Sequence, residues 1–179
     1  MDWCPLAQRD DGGTINSGAF VGGPPRGVLH TTEGGTYAGA RATFAGTGYW
    51  PHFTVTFETG LFEAYQHLPI SVGARALEHN PGTMETNRQS AIQIEIVGHA
   101  ANAPAFPSAY LDAIKAIMRW IEANAGVTQS CSVRFTAPGL EMRLSDADWL
   151  AYDGWCGHQH VPSNVHEDPG AIDIAYLLS

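Results

Sequence analysis

Strict alternation of apolar and polar residues is clearest in Ala91-Ile92-Gln93-Ile94-Glu95-Ile96-Val97, where the isoleucines take one face of a predicted strand. Gln93 and Glu95 then share the opposite face. His52 to Phe57 alternates as well, and Glu58-Thr59-Gly60 followed by Leu61 to Tyr65 completes a predicted hairpin. Gly27 to Thr32 is a short apolar run ending in polar residues, a buried strand whose tip carries His30. Cys131 to Thr136 predicts a further strand.

Helical spacing is strongest from Ser108 to Asn124, with Tyr110, Leu111, Ile114, Ile117, Met118 and Ile121 on one face. Ser108 is the expected N-cap and Gly126 lies past the end. Shorter helices are predicted over Thr36–Phe44, Ser145–Tyr152 and Ala171–Leu178, and residues 1–25 read as a loop wrapping the rest. Strands interleaved with helices predict an α/β fold, a mixed central β-sheet flanked by helices on both faces. The chain's 179 residues suit one domain over 1–179, and no internal repeat or linker divides them.

The formal charge of −9 with a single lysine, Lys115, leaves no basic stripe and excludes nucleic acid as the expected partner. No apolar run approaches the roughly 18 to 20 residues of a membrane span, so no membrane insertion is expected. The N-terminus, Met1-Asp2-Trp3-Cys4-Pro5, shows no basic start or apolar stretch, and no secretory signal is expected from it. Cys4, Cys131 and Cys156 lack CxxC spacing and are expected to be buried, reduced cysteines.

Candidate chemistry concentrates late in the chain. Gly157-His158-Gln159-His160-Val161-Pro162-Ser163-Asn164-Val165-His166-Glu167-Asp168-Pro169-Gly170 holds three imidazoles and two carboxylates in a Pro- and Gly-punctuated loop. Such donors suit zinc, which takes three protein ligands at catalytic sites and keeps a fourth position for water. His158 and Asp168 can fold back onto one ion, and His30 at a strand end is the third candidate. Taken alone, His30 is more often an ordinary strand-end histidine, a reading that the company of the later loop reverses, and His160 competes with His158 as ligand. Otherwise His160 supports the ligands or stands on their rim. Glu95 reads either as a solvent-facing residue or as a general base that activates water. Cys156 reads as structural, and His67 and His99 as surface residues.

His30 in Leu29-His30-Thr31-Thr32, Glu95 in Ser90-Ala91-Ile92-Gln93-Ile94-Glu95, and Gly157-His158 through Asp168-Pro169-Gly170 resemble the type 2 N-acetylmuramoyl-L-alanine amidases. That family is related to the peptidoglycan recognition proteins and phage T7 lysozyme. The likeness spans about residues 26 to 179 and is nearest to amidase modules in endolysins of phages infecting mycobacteria and their relatives. It implies Zn2+ held by His30, His158 and Asp168, with Glu95 and His166 catalytic. The partner it implies is bacterial peptidoglycan, cut between N-acetylmuramic acid and L-alanine. It further implies a monomer that waits in the host cytoplasm until lysis and then acts on the wall. His166 stands where many members carry an oxyanion-stabilising lysine. The tyrosine some place before the second-strand histidine is replaced by Pro51, with Tyr49 two residues earlier. His79 and Asn87 match substrate-groove positions, with a surface loop as the other reading. A metal-free peptidoglycan receptor and a zinc peptidase cutting within the stem peptide are the competing functions.

Overall fold

The computed structural model describes residues 2–140 and 142–179. Its strands are β1 (Gln8–Arg9), β2 (Gly18–Ala19), β3 (Arg26–Thr31), β4 (Phe53–Thr56), β5 (Glu63–Gln66), β6 (Val72–Gly73), β7 (Ala91–Ile96) and β8 (Gly154–Gly157). The helices are α1 (Tyr37–Thr47), α2 (Ser108–Ala125), α3 (Asp146–Ala151) and α4 (Ile174–Leu178). The main sheet has the order β1-β5-β4-β7-β3-β8, and β2 pairs with β6 beside it. β3, β4, β7 and β8 run parallel, while β4 and β5 form the predicted antiparallel hairpin. The sheet is therefore mixed, as the pattern predicts. Among the described residues no helix is long and apolar enough to cross a membrane.

The two faces of the central strands differ in chemistry, and this difference positions the site. Leu29, Phe53, Val55, Ile92, Ile94 and Ile96 pack beneath α2, which buries Leu111, Ile114, Ile117, Met118 and Ile121 against them. Smaller apolar clusters occupy the other side: Val28, Cys156 and Trp149 form one, and Ala40 and Phe44 of α1 with Trp50 form another. This second face also carries a row of buried polar groups. Register sets His30 opposite Glu95, and Thr54 opposite Glu95 on the far side.

Several boundaries depart from the sequence pattern. Ser108 is the first residue of α2 and Pro107 occupies the cap position without a side-chain bond, while Gly126 ends the helix at φ 76° as expected. Cys131–Thr136 forms no strand. The Trp155 N–H at the β8 edge bonds to Ser130 O, and the Thr136 N–H is taken by the Gln159 side chain. The edge beside β3 belongs instead to β8, a Gly-rich run without alternation. There the Trp155 ring packs against Gly27, where a Cβ would meet ring carbons at 2.2 Å. The closing helix begins only at Ile174, capped by Asp173. The wrapping segment contributes β1 and β2 and is pinned by a residue expected on the surface. His67 is fully buried, donates through Nδ1 to Asp10 O (2.8 Å) and accepts from the Thr54 hydroxyl at Nε2 (2.9 Å).

Candidate metal centre and groove

His30 comes from the last turnward residues of β3, His158 from the turn that follows β8, and Asp168 from the end of the Pro-rich excursion. All three are buried, and among the described residues they form the one group placed to hold a metal ion. Their donor atoms lie 3.0 Å apart (His30 Nδ1 to His158 Nδ1), 3.2 Å (His158 Nδ1 to Asp168 Oδ1) and 3.6 Å (His30 Nδ1 to Asp168 Oδ2). A tetrahedral ion bound at about 2.0–2.1 Å separates its ligands by about 3.3 Å, and the three observed edges bracket that figure.

Protonation agrees with ligation. The His158 Nε2–H donates to Asn164 Oδ1 at 2.8 Å, which turns Nδ1 toward the centre. Burial, reinforced by the His158 ring, holds His30 well below the ordinary histidine range, so it is a neutral donor at pH 7. The His30 Nε2 atom is buried without a hydrogen-bond partner. Burial works against the charge of Asp168, but His158, His30 and the Thr31 N–H (3.1 Å) outweigh it and hold this carboxyl down at about 2. Two imidazoles and one carboxylate make the donor set of a catalytic zinc site.

Glu95 enters from β7, its Oε1 3.8 Å from His30 Nδ1. Its Oε2 is buried and unpartnered, and burial, with Asp168 and Glu33 nearby, raises its pKa well above the usual carboxylate range. This carboxyl is equipped to take and release a proton rather than to hold a permanent charge. His166 stands half-exposed at the mouth and stacks on His158 with ring centroids 4.4 Å apart. Its Nδ1 is 3.8 Å from Asp168 Oδ1 and its Nε2 is 3.6 Å from Glu78 Oε1. Burial, then the His158 ring, lowers its pKa.

These groups open onto a groove of about 720 Å³ whose walls include Tyr49, Arg75, Glu78 and His79. His79 is exposed there, its Nε2 3.9 Å from Glu85 Oε2. Asn87 borders the groove but is buried, and its amide is spent on the Leu77 N–H and C=O and on Gln93 Nε2. It braces the wall. His160 is no rim residue: it is fully buried, accepting from the Gly157 N–H (2.9 Å) and donating to Arg134 O (3.0 Å). Cys156 packs in the Val28–Trp149 cluster, as a structural residue does, and the partly exposed Cys131 is free like the buried Cys4 and Cys156. His99 is half-exposed beside Glu33. Sequence reasoning passed over Asn164 and Gln159, the two amides that fasten the ligand loop. Gln159 bonds to Thr136 and Gly170, and neither amide has a sequence signal of its own.

No family model and no curated protein matches the chain by sequence. Its architecture does match solved structures, and the class they define is the fold of type 2 N-acetylmuramoyl-L-alanine amidases and peptidoglycan recognition proteins. The endolysin N-acetylmuramoyl-L-alanine amidase LysCS from Clostridium intestinale is similar with a TM-score of 0.61 at 14% identity, over 99% of this chain and 95% of that one. The Staphylococcus aureus hydrolase AmiA gives 0.60 at 15% identity, over 98% and 82%. PGRP-SA from Apis mellifera gives 0.53 at 13% identity, over 93% and 91%. At these identities the likeness establishes the fold.

Proposed function

We propose that this chain is a zinc-dependent N-acetylmuramoyl-L-alanine amidase that cuts bacterial peptidoglycan, acting as the catalytic module of a phage endolysin. The observation that carries the reading is the buried His30–His158–Asp168 group with the unpartnered Glu95 carboxyl beside it. The fold shared with amidases supports the choice of bond. When bound, zinc supplies Lewis acidity toward the scissile carbonyl and toward water, and positive charge that offsets the burial of Glu95.

Glu95 takes a proton from the attacking water as its oxygen bonds to the lactyl carbonyl carbon. It then delivers that proton to the nitrogen of the departing L-alanine as the C–N bond breaks. His166, at the mouth, donates a hydrogen bond to the oxyanion. A neutral ring supplies less than the fixed charge of a lysine would. His79 and the exposed groove wall meet the substrate on either side. The chain's acidity repels anionic wall polymers, so affinity comes from the groove or from a partner domain.

A metal-free receptor needs none of these groups, and a fully buried pair of histidines beside two carboxylates is costly to keep without a ligand. The test combines metal analysis, clearing of purified cell walls and mass spectrometry of the fragments. One zinc per chain, clearing, and fragments with a free alanine amine and an intact lactyl acid are expected. Wall binding without clearing favours the receptor, and cleavage inside the stem peptide favours the peptidase.

A further inference from the structure

Asn164 is a buried side chain outside the groove lining whose amide is bonded at both ends. Its Oδ1 accepts from the His158 Nε2–H (2.8 Å) and from the Glu78 N–H (2.8 Å), and its Nδ2 donates to Pro162 O (3.0 Å). It is 1% exposed. Ser163 before it adopts φ 59°, a left-handed conformation unfavourable for a residue with a Cβ. Such an outlier is kept where the surrounding structure demands it. Here the demand is to bring Asn164 inward against the far nitrogen of a candidate ligand.

An imidazole offers either of two nitrogens to a metal, and the partner of the other nitrogen decides which. Asn164 Oδ1 can only accept from its two N–H partners. We infer that Asn164 is a positioning residue that selects Nδ1 of His158 as the metal-binding atom. It also ties that choice to Glu78, whose carboxylate faces His166 at 3.6 Å. The inference rests on the proposed function, since it concerns how the metal is held. It assigns Asn164 no contact with substrate. The same bond fixes the ring's tilt, so the His158 ring presents its face to His166 while its edge points at His30 Nδ1.

Three measurements test it. Two-bond ¹H–¹⁵N correlations on zinc-loaded wild-type protein are expected to show His158 protonated at Nε2 and bound to zinc through Nδ1, and zinc on Nε2 overturns the inference without any variant. Zinc affinity is then measured by competition with a chromophoric chelator. Asn164→Ala is expected to bind about 10- to 100-fold more weakly, the usual effect of losing a ligand's supporting partner. Asn164→Asp, which keeps an acceptor for both N–H groups but loses the donor to Pro162 O, is expected to bind more tightly than Asn164→Ala. Cobalt-substituted Asn164→Ala is expected to show a shifted visible spectrum, and Asn164→Asp the wild-type bands. Unchanged affinity in Asn164→Ala overturns the inference, as does a loss of equal size in both variants, which marks Asn164 as a loop brace alone. Wild-type protein that takes up no zinc refutes the metal reading itself, a separate result from either of these.

Discussion

Lowering the pH from 7 to 4 is expected to destabilise the fold by about 3 kcal/mol through His52 alone. Its ring is completely buried, with Nε2–H donating to Val72 O (2.8 Å) and Nδ1 accepting from the Gln93 N–H (3.0 Å). A second proton would set one N–H against another, in a site from which water is excluded. Burial, aided by His67, pushes the pKa of His52 down to about 4. An unfolded histidine titrates near 6.5. Between those values the unfolded chain binds one more proton than the native one, so stability rises with pH. The His52 contribution is complete above about pH 6.5 and is lost as pH falls toward 4. A span of about 2.5 at about 1.4 kcal/mol per pH unit gives about 3 kcal/mol. The assay is denaturant unfolding from pH 4 to 8, with chelator present, for wild type and His52→Asn. The variant keeps an acceptor near Nδ1 and cannot titrate, so subtracting its curve removes the carboxylates and the metal ligands common to both. The difference between the two stabilities is expected to shrink by about 3 kcal/mol on acidification. A difference that stays flat refutes the argument, because it means His52 protonates without disturbing its bonds.

Glu95→Ala is expected to retain zinc while turnover falls by about 100-fold or more, measured as wall clearing beside metal content. Unchanged turnover removes Glu95 from the mechanism. His166→Lys is expected to keep or raise activity, since a lysine supplies the oxyanion with fixed charge. Inactivation together with zinc loss would make His166 a ligand. Gly27→Ala drives a Cβ to 2.2 Å from the Trp155 ring where β3 meets the edge strand β8, and overpacking of this severity is expected to cost about 3 kcal/mol in denaturant unfolding measurements. A loss under about 1 kcal/mol would show that β8 can shift away.

Legibility in the sequence followed periodicity and donor density. β7 and α2 were readable because each repeats its pattern over enough residues to reveal a face, and the Glu95 side of β7 followed from that reading. β1, β2 and β8 are too short or too Gly-rich to alternate. The apolar stretch at Cys131–Thr136 imitates a strand, but whether an edge accepts another strand depends on a distant bond, here Trp155 to Ser130. Within the candidate site, crowding of imidazoles pointed to the loop, and His158 and His160 differ only in what occupies their nitrogens. Backbone groups consume both nitrogens of His160, and no spacing rule reveals that. His67 is buried because the N-terminal wrap closes over it from 57 residues away in sequence. Asn164 is one polar residue in a polar loop until the fold turns it inward.

The alternating faces of β7 have one more implication. Ile94 and Glu95 are neighbours in the chain, yet one belongs to the oily interior and the other to the groove. Inserting or deleting a single residue upstream in that strand would trade their places, sending a carboxylate under the long helix and an isoleucine toward the candidate ion. The core and the candidate site thus depend on the same two-residue rhythm.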